Sequence, residues 1–271
     1  MSRSIKILSL IIISAIVPLR AGSIDTLHIY SPSMDKTIPA LVILPDTYAD
    51  TNRSFPTVYL LHGYSGNYLD WSKHLDLRPL ADRYQFILVC PDGGYNSWYL
   101  DSPLDPKSQY ETHIIKEVIP YVDQHFRSIA KKEDRAITGL SMGGHGALYL
   151  AVRHPGLFSA AGSMSGGVDL ASYSGKWEIA EKLGSYKKFP QRWYNHSLIN
   201  MIGLFQSAGL GLFIDCGVND FFIKNNRTLH QKLVQAGVAH DYIERPGGHS
   251  WQYWVNALEY HLLFFSRYFK Q

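Results

Sequence analysis

The sequence predicts an α/β fold in which a mostly parallel, eight-stranded sheet carries helices on both faces. Short apolar runs bounded by Gly, Pro or Asp alternate along the chain with longer amphipathic stretches. A glycine-flanked serine at residues 139–143 lies between one such run and a helix-like stretch. Hydrophobic residues make up 46% of the 271 and charged residues only 18%, which is enough apolar material for one large core.

Eight apolar runs of strand length follow one another along the chain. Their length, and the turn-forming residues that bound them, are typical of strands in a mainly parallel sheet. The predicted strands are residues 26–30, 38–44, 57–61, 86–90, 135–138, 160–163, 212–216 and 241–245.

Helical patterns fill most of the intervals between these runs. The predicted helices are residues 68–84, 111–126, 144–153, 225–236 and 251–268. In the second, apolar residues recur at three- and four-residue steps, so one face is expected to pack on the sheet, and Pro120 is expected to bend the helix.

The segment 168–207 breaks this rhythm. It is rich in aromatic residues and shows little periodicity before Leu198. Because it follows the sixth strand, it is expected either to cap a pocket at the carboxyl edge of the sheet or to form an irregular surface excursion.

The amino-terminal residues have the pattern of a secretory signal peptide. Arg3 and Lys6 precede an apolar run at 7–17, and Pro18 and the small pair Ala21-Gly22 follow. The run has about half the length of a membrane-spanning helix, which disfavours a permanent anchor. We expect a signal peptide at 1–21, a single domain at 22–271, and a secreted or periplasmic protein without stable membrane association.

Charge and cysteine content exclude several classes of partner. The net charge of +3 is too small to imply a nucleic-acid partner. Cys90 and Cys216 end different predicted strands, so we expect two free, buried thiols rather than a disulfide or a metal site. Zinc-protease, phosphate-loop and dinucleotide motifs are absent from the sequence, so no cofactor and no metal are implied; the oligomeric state is left open.

The segment Gly139-Leu140-Ser141-Met142-Gly143 predicts an exposed nucleophile. A sharp turn from strand to helix forces the middle residue into a strained conformation, and the flanking glycines leave room for the crossing backbone. The helix amino terminus also directs unpaired N–H groups at developing negative charge.

A serine nucleophile needs an imidazole base and a carboxylate that orients it. His249 follows the last predicted strand, within Pro246-Gly247-Gly248-His249, and is the predicted base. Asp220, in the loop after the seventh strand, is the preferred acid. Asp215, still within that strand, and Asp169, after the sixth, remain alternatives.

Two backbone N–H groups are candidates for an oxyanion hole, those of Met142 and of Tyr64 in the loop after the third strand. His62 is expected to shape that loop. Trp98, Tyr99 and Trp251 lie near the expected cleft and are tentative pocket residues, with simple core packing as the alternative.

Five ordered segments together resemble the "Putative esterase" family of α/β-hydrolases. That family includes feruloyl and acetyl-xylan esterases, S-formylglutathione hydrolase and mycolyltransferases. The matching segments are residues 60–63, 91–99, 139–147, 217–220 and 247–251.

The resemblance implies an α/β-hydrolase fold and a carboxylester hydrolase activity; the short cap insertion is the one read from segment 168–207. It assigns Ser141 as nucleophile, Asp220 as acid and His249 as base, with Tyr64 and Met142 in the oxyanion hole. Together with the export signal it favours a secreted serine esterase acting on acetyl or feruloyl esters of plant polysaccharide or other short acyl esters. A thioesterase of the S-formylglutathione hydrolase type and an acyltransferase of the mycolyltransferase type are the alternatives.

Overall fold

A computed structural model describes residues 22–269, so the expected signal peptide lies outside the described residues. Within this range one sheet has the strand order β1-β2-β4-β3-β5-β6-β7-β8. The β1–β2 and β2–β4 pairs are antiparallel and all the others are parallel, which confirms the mostly parallel eight-stranded sheet. The strands are β1 (Ile24–Ser31), β2 (Lys36–Ile43), β3 (Thr57–Leu61), β4 (Ile87–Pro91), β5 (Arg135–Gly139), β6 (Ala160–Met164), β7 (Gly211–Gly217) and β8 (Asp241–Arg245).

Helices cover both faces of the sheet, as the alternating pattern predicts. On β3, Tyr59 and Leu61 belong to one core cluster, whereas Val58 and Leu60 belong to the other. The α-helices are α1 (Asp70–His74), α2 (Arg78–Tyr84), α3 (Tyr110–Thr112), α4 (Ile119–His125), α5 (Met142–Arg153), α6 (Ile179–Leu183), α7 (Pro190–His196), α8 (Ile202–Ala208), α9 (Ile223–Gln235) and α10 (Trp251–Ser266). Helices α5 and α9 pack on the first face, and α2 and α10 on the second.

The predicted helix 68–84 is two helices in the structure. The chain is extended at Leu75, with φ −151°, and restarts at α2, where Pro79 occupies the first turn. The Asp76 carboxylate accepts a hydrogen bond from the Arg78 N–H, which satisfies one of the unpaired donors at this new helix start.

Pro120 changes the predicted helix 111–126 in a different way. A π-helical segment, His113–Val118, joins α3 to α4 directly before the proline. A proline has no N–H for the carbonyl four residues earlier, and the wider π turns shift the hydrogen-bonding frame at this point.

The insertion after β6 is a packed helical cap. It holds α6, α7 and α8 together with two short 3₁₀ turns, Ala171–Tyr173 and Leu198–Asn200. Buried residues from each of the three helices join the core cluster that contains α5, so the segment is anchored to the sheet rather than loose on the surface. These residues are Ile179, Leu183, Trp193 and Phe205.

Cys90 and Cys216 are both buried and unpaired, as the sequence predicts. They lie on β4 and β7, and three strands separate these two in the sheet. Among residues 22–269, no helix combines the length and apolar character needed to cross a bilayer.

Candidate active site

Ser141 stands at a strained turn between β5 and α5. Its φ of 55° and ψ of −115° are unfavourable for a residue with a side chain, and its N–H donates to the Met164 carbonyl at 2.9 Å. A Cβ at Gly139 would lie 2.6 Å from the backbone of Gly143, and one at Gly143 would lie 2.5 Å from the His62 carbonyl oxygen. The two flanking glycines therefore let β5, α5 and the end of β3 meet at this turn.

His249 reaches Ser141 from the loop between β8 and α10. Its Nε2 lies 2.9 Å from the Ser141 Oγ, and its Nδ1 lies 2.8 Å from the Asp220 Oδ2. In the neutral ring the Nδ1–H donates to the carboxylate, and the serine hydroxyl donates to Nε2. Ser250, the next residue, caps α10 by accepting from the Tyr253 N–H, which fixes where the loop ends.

Asp220 is buried in the loop after β7, and its free oxygen is also satisfied. Its Oδ1 accepts a hydrogen bond from the Phe222 N–H at 2.8 Å. The Asn219 N–H donates to the Gly247 carbonyl at 2.9 Å, so the loop that carries Asp220 runs beside the loop that carries His249. The Phe222 N–H thus fixes the carboxylate, and the Asn219–Gly247 hydrogen bond fixes its loop next to the loop of the imidazole.

The other two candidate acids lie elsewhere. Asp215 is fully buried and accepts hydrogen bonds from the Arg245 guanidinium, at 2.6 Å, and from the Tyr253 hydroxyl. Burial raises the pKa of this carboxyl group, against the effect of these two partners. Asp169 accepts from Asn225 at 3.2 Å. Of the three aspartates, Asp220 is the one in contact with His249.

The two backbone N–H groups predicted for the oxyanion hole belong to residues beside the serine: Met142 follows Ser141 in the chain, and Tyr64 lines the same cavity as Ser141. Neither Tyr64 N–H nor Met142 N–H donates a hydrogen bond to any of residues 22–269. Gly63 brings the first of them close, since a Cβ there would lie 3.5 Å from the Ser141 Cβ. Donors left free at such a point can stabilise a negative oxygen.

His62 holds the loop that carries Tyr64. Its Nδ1–H donates to the Gly63 carbonyl at 2.8 Å, and its Nε2 accepts from the Gly93 N–H at 2.8 Å. Burial lowers the pKa of this imidazole, so the ring stays neutral and keeps both bonds. This geometry fits the loop-shaping role expected from the sequence.

A cavity of about 350 Å³ opens above Ser141. Trp251 lines it, as the sequence suggests, and so do three aromatic residues that sequence reasoning missed. The cavity is lined by Gly63, Tyr64, Asp70, Leu140, Ser141, Trp177, Phe221, His249, Ser250, Trp251 and Trp254.

Two of the missed aromatic residues pack against the imidazole. The ring centroids of Phe221 and Trp254 lie 4.2 Å and 4.8 Å from that of His249. Trp177, from the cap, stacks on Phe221 at 5.7 Å. The sequence held signals for two of them, because Phe221 directly follows Asp220 and Trp254 lies one helical turn after Trp251.

Trp98 and Tyr99 are not on the cavity wall, which differs from their tentative assignment as pocket residues. Both are buried in the core cluster, and both have positive φ angles, 54° and 57°. The turned backbone directs the Tyr99 hydroxyl to the His62 carbonyl at 3.2 Å, and Trp98 packs against the His145 ring. These two aromatic residues support the site from below.

The site consists of groups that form hydrogen bonds rather than of a set of metal ligands. Within the described part of the chain, no group of three or more His, Cys, Asp or Glu side chains is arranged to hold a metal ion. Among residues 22–269, Asp70 is the one carboxylate that lines the cavity. Its side chain is 18% exposed, and its Oδ1 lies 3.3 Å from the Lys73 Nζ.

Comparisons with known proteins show the family to which the chain belongs. A family model described as "Putative esterase" matches residues 31–265. The acetyl esterase of Caldicellulosiruptor saccharolyticus is 30% identical over 264 residues, covering 88% of this chain and 97% of that protein. Esterase Rv1288 of Mycobacterium tuberculosis is 29% identical over 245 residues, covering 77% of this chain; the chain spans about half, 51%, of that relative.

Solved structures support the same assignment. A ferulic acid esterase matches with a TM-score of 0.81 and 27% identity, covering 92% of this chain and 99% of that chain. The strand order, the family match over most of the chain and the acetyl esterase relative all agree with the resemblance seen in the sequence. The chain therefore belongs to the "Putative esterase" family, and the protein is a carboxylic ester hydrolase with the α/β-hydrolase fold.

Proposed function

We propose that the protein is a serine esterase that works through an acyl-enzyme on Ser141. The observation that carries the proposal is the continuous chain of hydrogen bonds from the Ser141 Oγ through His249 to Asp220, with distances of 2.9 and 2.8 Å. A hydroxyl within this distance of an imidazole can lose its proton as it attacks. The buried Asp220 carboxylate fixes the ring tautomer and stabilises the imidazolium that forms.

The reaction has two halves. The Ser141 Oγ attacks the ester carbonyl while the His249 Nε2 takes the hydroxyl proton, and a tetrahedral oxyanion forms. The imidazolium then gives that proton to the leaving alcohol oxygen as the carbon–oxygen bond breaks. Water next attacks the acyl-enzyme, with His249 again as the base, and releases the acid and the free serine.

The oxyanion of each half is stabilised by the free N–H groups of Tyr64 and Met142. Preorganised donors of this kind each contribute about 3 kcal/mol to transition-state stabilisation. The Met142 N–H also lies at the amino terminus of α5, a twelve-residue helix, whose dipole favours negative charge there.

The substrates proposed are acetyl or feruloyl esters of plant polysaccharide, or other short acyl esters. A cavity of about 350 Å³ with aromatic walls is of the size that holds small ligands. The acetyl esterase and ferulic acid esterase relatives support the same substrate class. Thioester hydrolysis of the S-formylglutathione type and transfer to an alcohol acceptor use the same acyl-enzyme and remain the alternatives.

Export of the enzyme is part of the same proposal. It rests on the basic, apolar and small-residue pattern of residues 1–21 and assigns 22–271 to the esterase domain, with a secreted or periplasmic location. Amino-terminal sequencing of the protein released by the producing cells tests it. A mature chain that still begins at Met1 would contradict the assignment.

The mechanism is tested with Ser141→Ala and a matched control, Ser207→Ala, in the exposed part of α8. Turnover of 4-nitrophenyl acetate and methyl ferulate should fall by several orders of magnitude in the first variant and stay unchanged in the second. A fluorophosphonate probe should label the wild type and the control but not Ser141→Ala. Retained turnover in a folded Ser141→Ala protein would refute the mechanism.

The alternatives are separated with the same wild-type protein. Added glycerol or sugar should not divert the acyl group if water is the acceptor. Formation of acyl-glycerol as the main product would instead assign acyl transfer, and preference for a thioester over its oxygen ester would assign a thioesterase.

A further inference from the structure

A buried polar cluster lies directly beneath the two loops that carry Asp220 and His249. Its members are Asp215 on β7, Arg245 at the end of β8 and Tyr253 on α10. We call these three residues the clamp. The Asp215 carboxylate is fully buried, and it accepts one hydrogen bond from the Arg245 Nη2 at 2.6 Å and another from the Tyr253 hydroxyl. The reaction described above uses none of the three.

The guanidinium of Arg245 has other contacts besides Asp215. Its second terminal nitrogen donates to the Asn256 side-chain oxygen, and its guanidinium lies 5.0 Å from the Tyr253 ring and 4.4 Å from the Tyr260 ring. A buried carboxylate that lost one of its two partners would carry an uncompensated charge or a lone pair without a donor. The three side chains are therefore expected to act as one unit.

Each clamp residue is joined to a catalytic loop by a short length of chain. Asp215 lies five residues before Asp220, and Arg245 lies four residues before His249. The Tyr253 ring also contacts the loop that carries His249, here called the base loop, since a Cβ at Gly247 would lie 2.6 Å from the Cδ2 atom of Tyr253.

Backbone hydrogen bonds close the gap above the clamp. The Val218 N–H donates to the Arg245 carbonyl at 2.9 Å, and the Asn219 N–H donates to the Gly247 carbonyl at 2.9 Å. The clamp below and these two bonds above leave the acid and base loops little freedom to move apart.

We propose that Asp215, Arg245 and Tyr253 are positioning residues that hold the Asp220 carboxylate in register with the His249 imidazole. The inference rests on the proposed serine mechanism and extends it. Asp215 thus acts on the reaction through structure, although the sequence also offers it as an alternative acid. Small displacements of a catalytic group cost large factors in rate, about a hundredfold for 1 Å.

The consequence for catalysis is a loss of transition-state stabilisation without a loss of substrate binding. A looser contact with Asp220 stabilises the imidazolium that forms during the reaction less, so kcat falls while KM changes little. The rings of Phe221, Phe222 and Trp254 also pack around His249, and the clamp variants leave them in place.

The test compares Tyr253→Phe with Tyr260→Phe. Each change deletes one hydroxyl from a ring that packs on Arg245, but only the Tyr253 hydroxyl is bonded to Asp215. We expect kcat of Tyr253→Phe to fall at least about tenfold with KM within about twofold. The downfield proton resonance of the His249–Asp220 hydrogen bond should shift or disappear. Tyr260→Phe should match the wild type in kcat, in KM and in this resonance.

Asp215→Asn provides a second variant, in which the charge is removed and the size kept, and it should change the same measurements in the same direction. If it does not fold, Tyr253→Phe decides the question alone. Wild-type kcat and a wild-type proton resonance in a folded Tyr253→Phe would overturn the proposal, even if its melting temperature were lower. Ser141→Ala in the same assays keeps the two failures apart. Retained activity of Ser141→Ala would refute the mechanism, whereas an inactive Ser141→Ala together with a wild-type Tyr253→Phe would refute the clamp alone.

Discussion

Gly143→Ala is the change that tests most directly how the strained turn at Ser141 holds the site together. Gly143 is the second residue of α5, and a Cβ added there would lie 2.5 Å from the His62 carbonyl oxygen and 2.6 Å from the Leu61 carbonyl oxygen. Both are backbone atoms at the end of β3, so no side-chain rotation can relieve the contact. Helix α5 and the loop that begins at His62 must move apart.

The size of that movement follows from ordinary contact distances. A Cβ and an oxygen normally stay about 3.4 Å apart, so the two elements must separate by roughly 0.9 Å. Overpacking of this kind costs about 1–3 kcal/mol, which corresponds to a melting temperature lower by about 2–12 °C in a domain of this size. The Met142 N–H lies on one side of the gap and the Tyr64 N–H on the other, so the oxyanion hole widens by a similar distance. We expect kcat/KM to fall about a hundredfold.

The assay is turnover of 4-nitrophenyl acetate together with a thermal melt, and Gly203→Ala is the matched control. Gly203 lies in α8, and a Cβ there meets no atom within 4 Å. An added methyl at an open helical position is neutral or stabilising by up to about 1 kcal/mol. Wild-type activity and melting temperature in Gly143→Ala would refute the reasoning, because the close contact between α5 and β3 would then place no constraint on the site.

Two further predictions concern acid stability and substrate charge. Burial lowers the pKa of His145 to about 4 and that of His261 to about 3, whereas both titrate near 6.5 in an unfolded chain. The contribution of the two neutral rings to the free energy of unfolding is therefore complete above about pH 6.5 and is lost as pH falls toward 4. Urea unfolding should show a loss of about 2 kcal/mol per histidine between pH 7 and pH 5, and equal stability at the two pH values would contradict this. The Asp70 carboxylate in the cavity should disfavour an anionic acyl group, so Asp70→Asn should raise kcat/KM for a 4-nitrophenyl hemisuccinate relative to the acetate by about fivefold. Asp76→Asn, an exposed carboxylate outside the cavity, is its control and should leave that ratio unchanged.

The sheet and the turn at Ser141 could be predicted because their sequence signals are local. The interior strands β3 to β7 are short, mostly apolar runs that are buried throughout, and the glycines around Ser141 mark a turn that few other residues allow. The helix predicted at 68–84 was wrong as one element, since periodicity extends across Leu75 while the start signal at Asp76 and Pro79 breaks it. The spacing of apolar residues alone does not show whether a helix continues or whether a new helix starts at such a signal.

The walls of the cavity could be predicted much less well, because they depend on contacts between distant segments. Trp98 and Tyr99 were reasonable candidates from their place after β4, but their positive φ angles turn them into the core. Trp177 reaches the cavity from the cap, where the sequence shows little periodicity to orient a side chain. Aromatic type indicates that a ring will be buried or stacked, not against which partner.

The position of His249 shows why glycines matter as much as the reacting groups. Its strand, β8, lies at the edge of the sheet, whereas Ser141 follows β5, three places further in. Strands spaced at about 4.8 Å put these two strand ends roughly 14 Å apart, so the base loop must turn back across the end of β7. Gly247 supplies a φ of 138° for that turn, and Gly217 lets the loop lie flat, since a Cβ there would sit 2.5 Å from the Gly247 carbonyl oxygen. A side chain at either position would lift the imidazole away from the serine, so the reach of the base from the sheet edge depends on two residues that contribute no chemistry of their own.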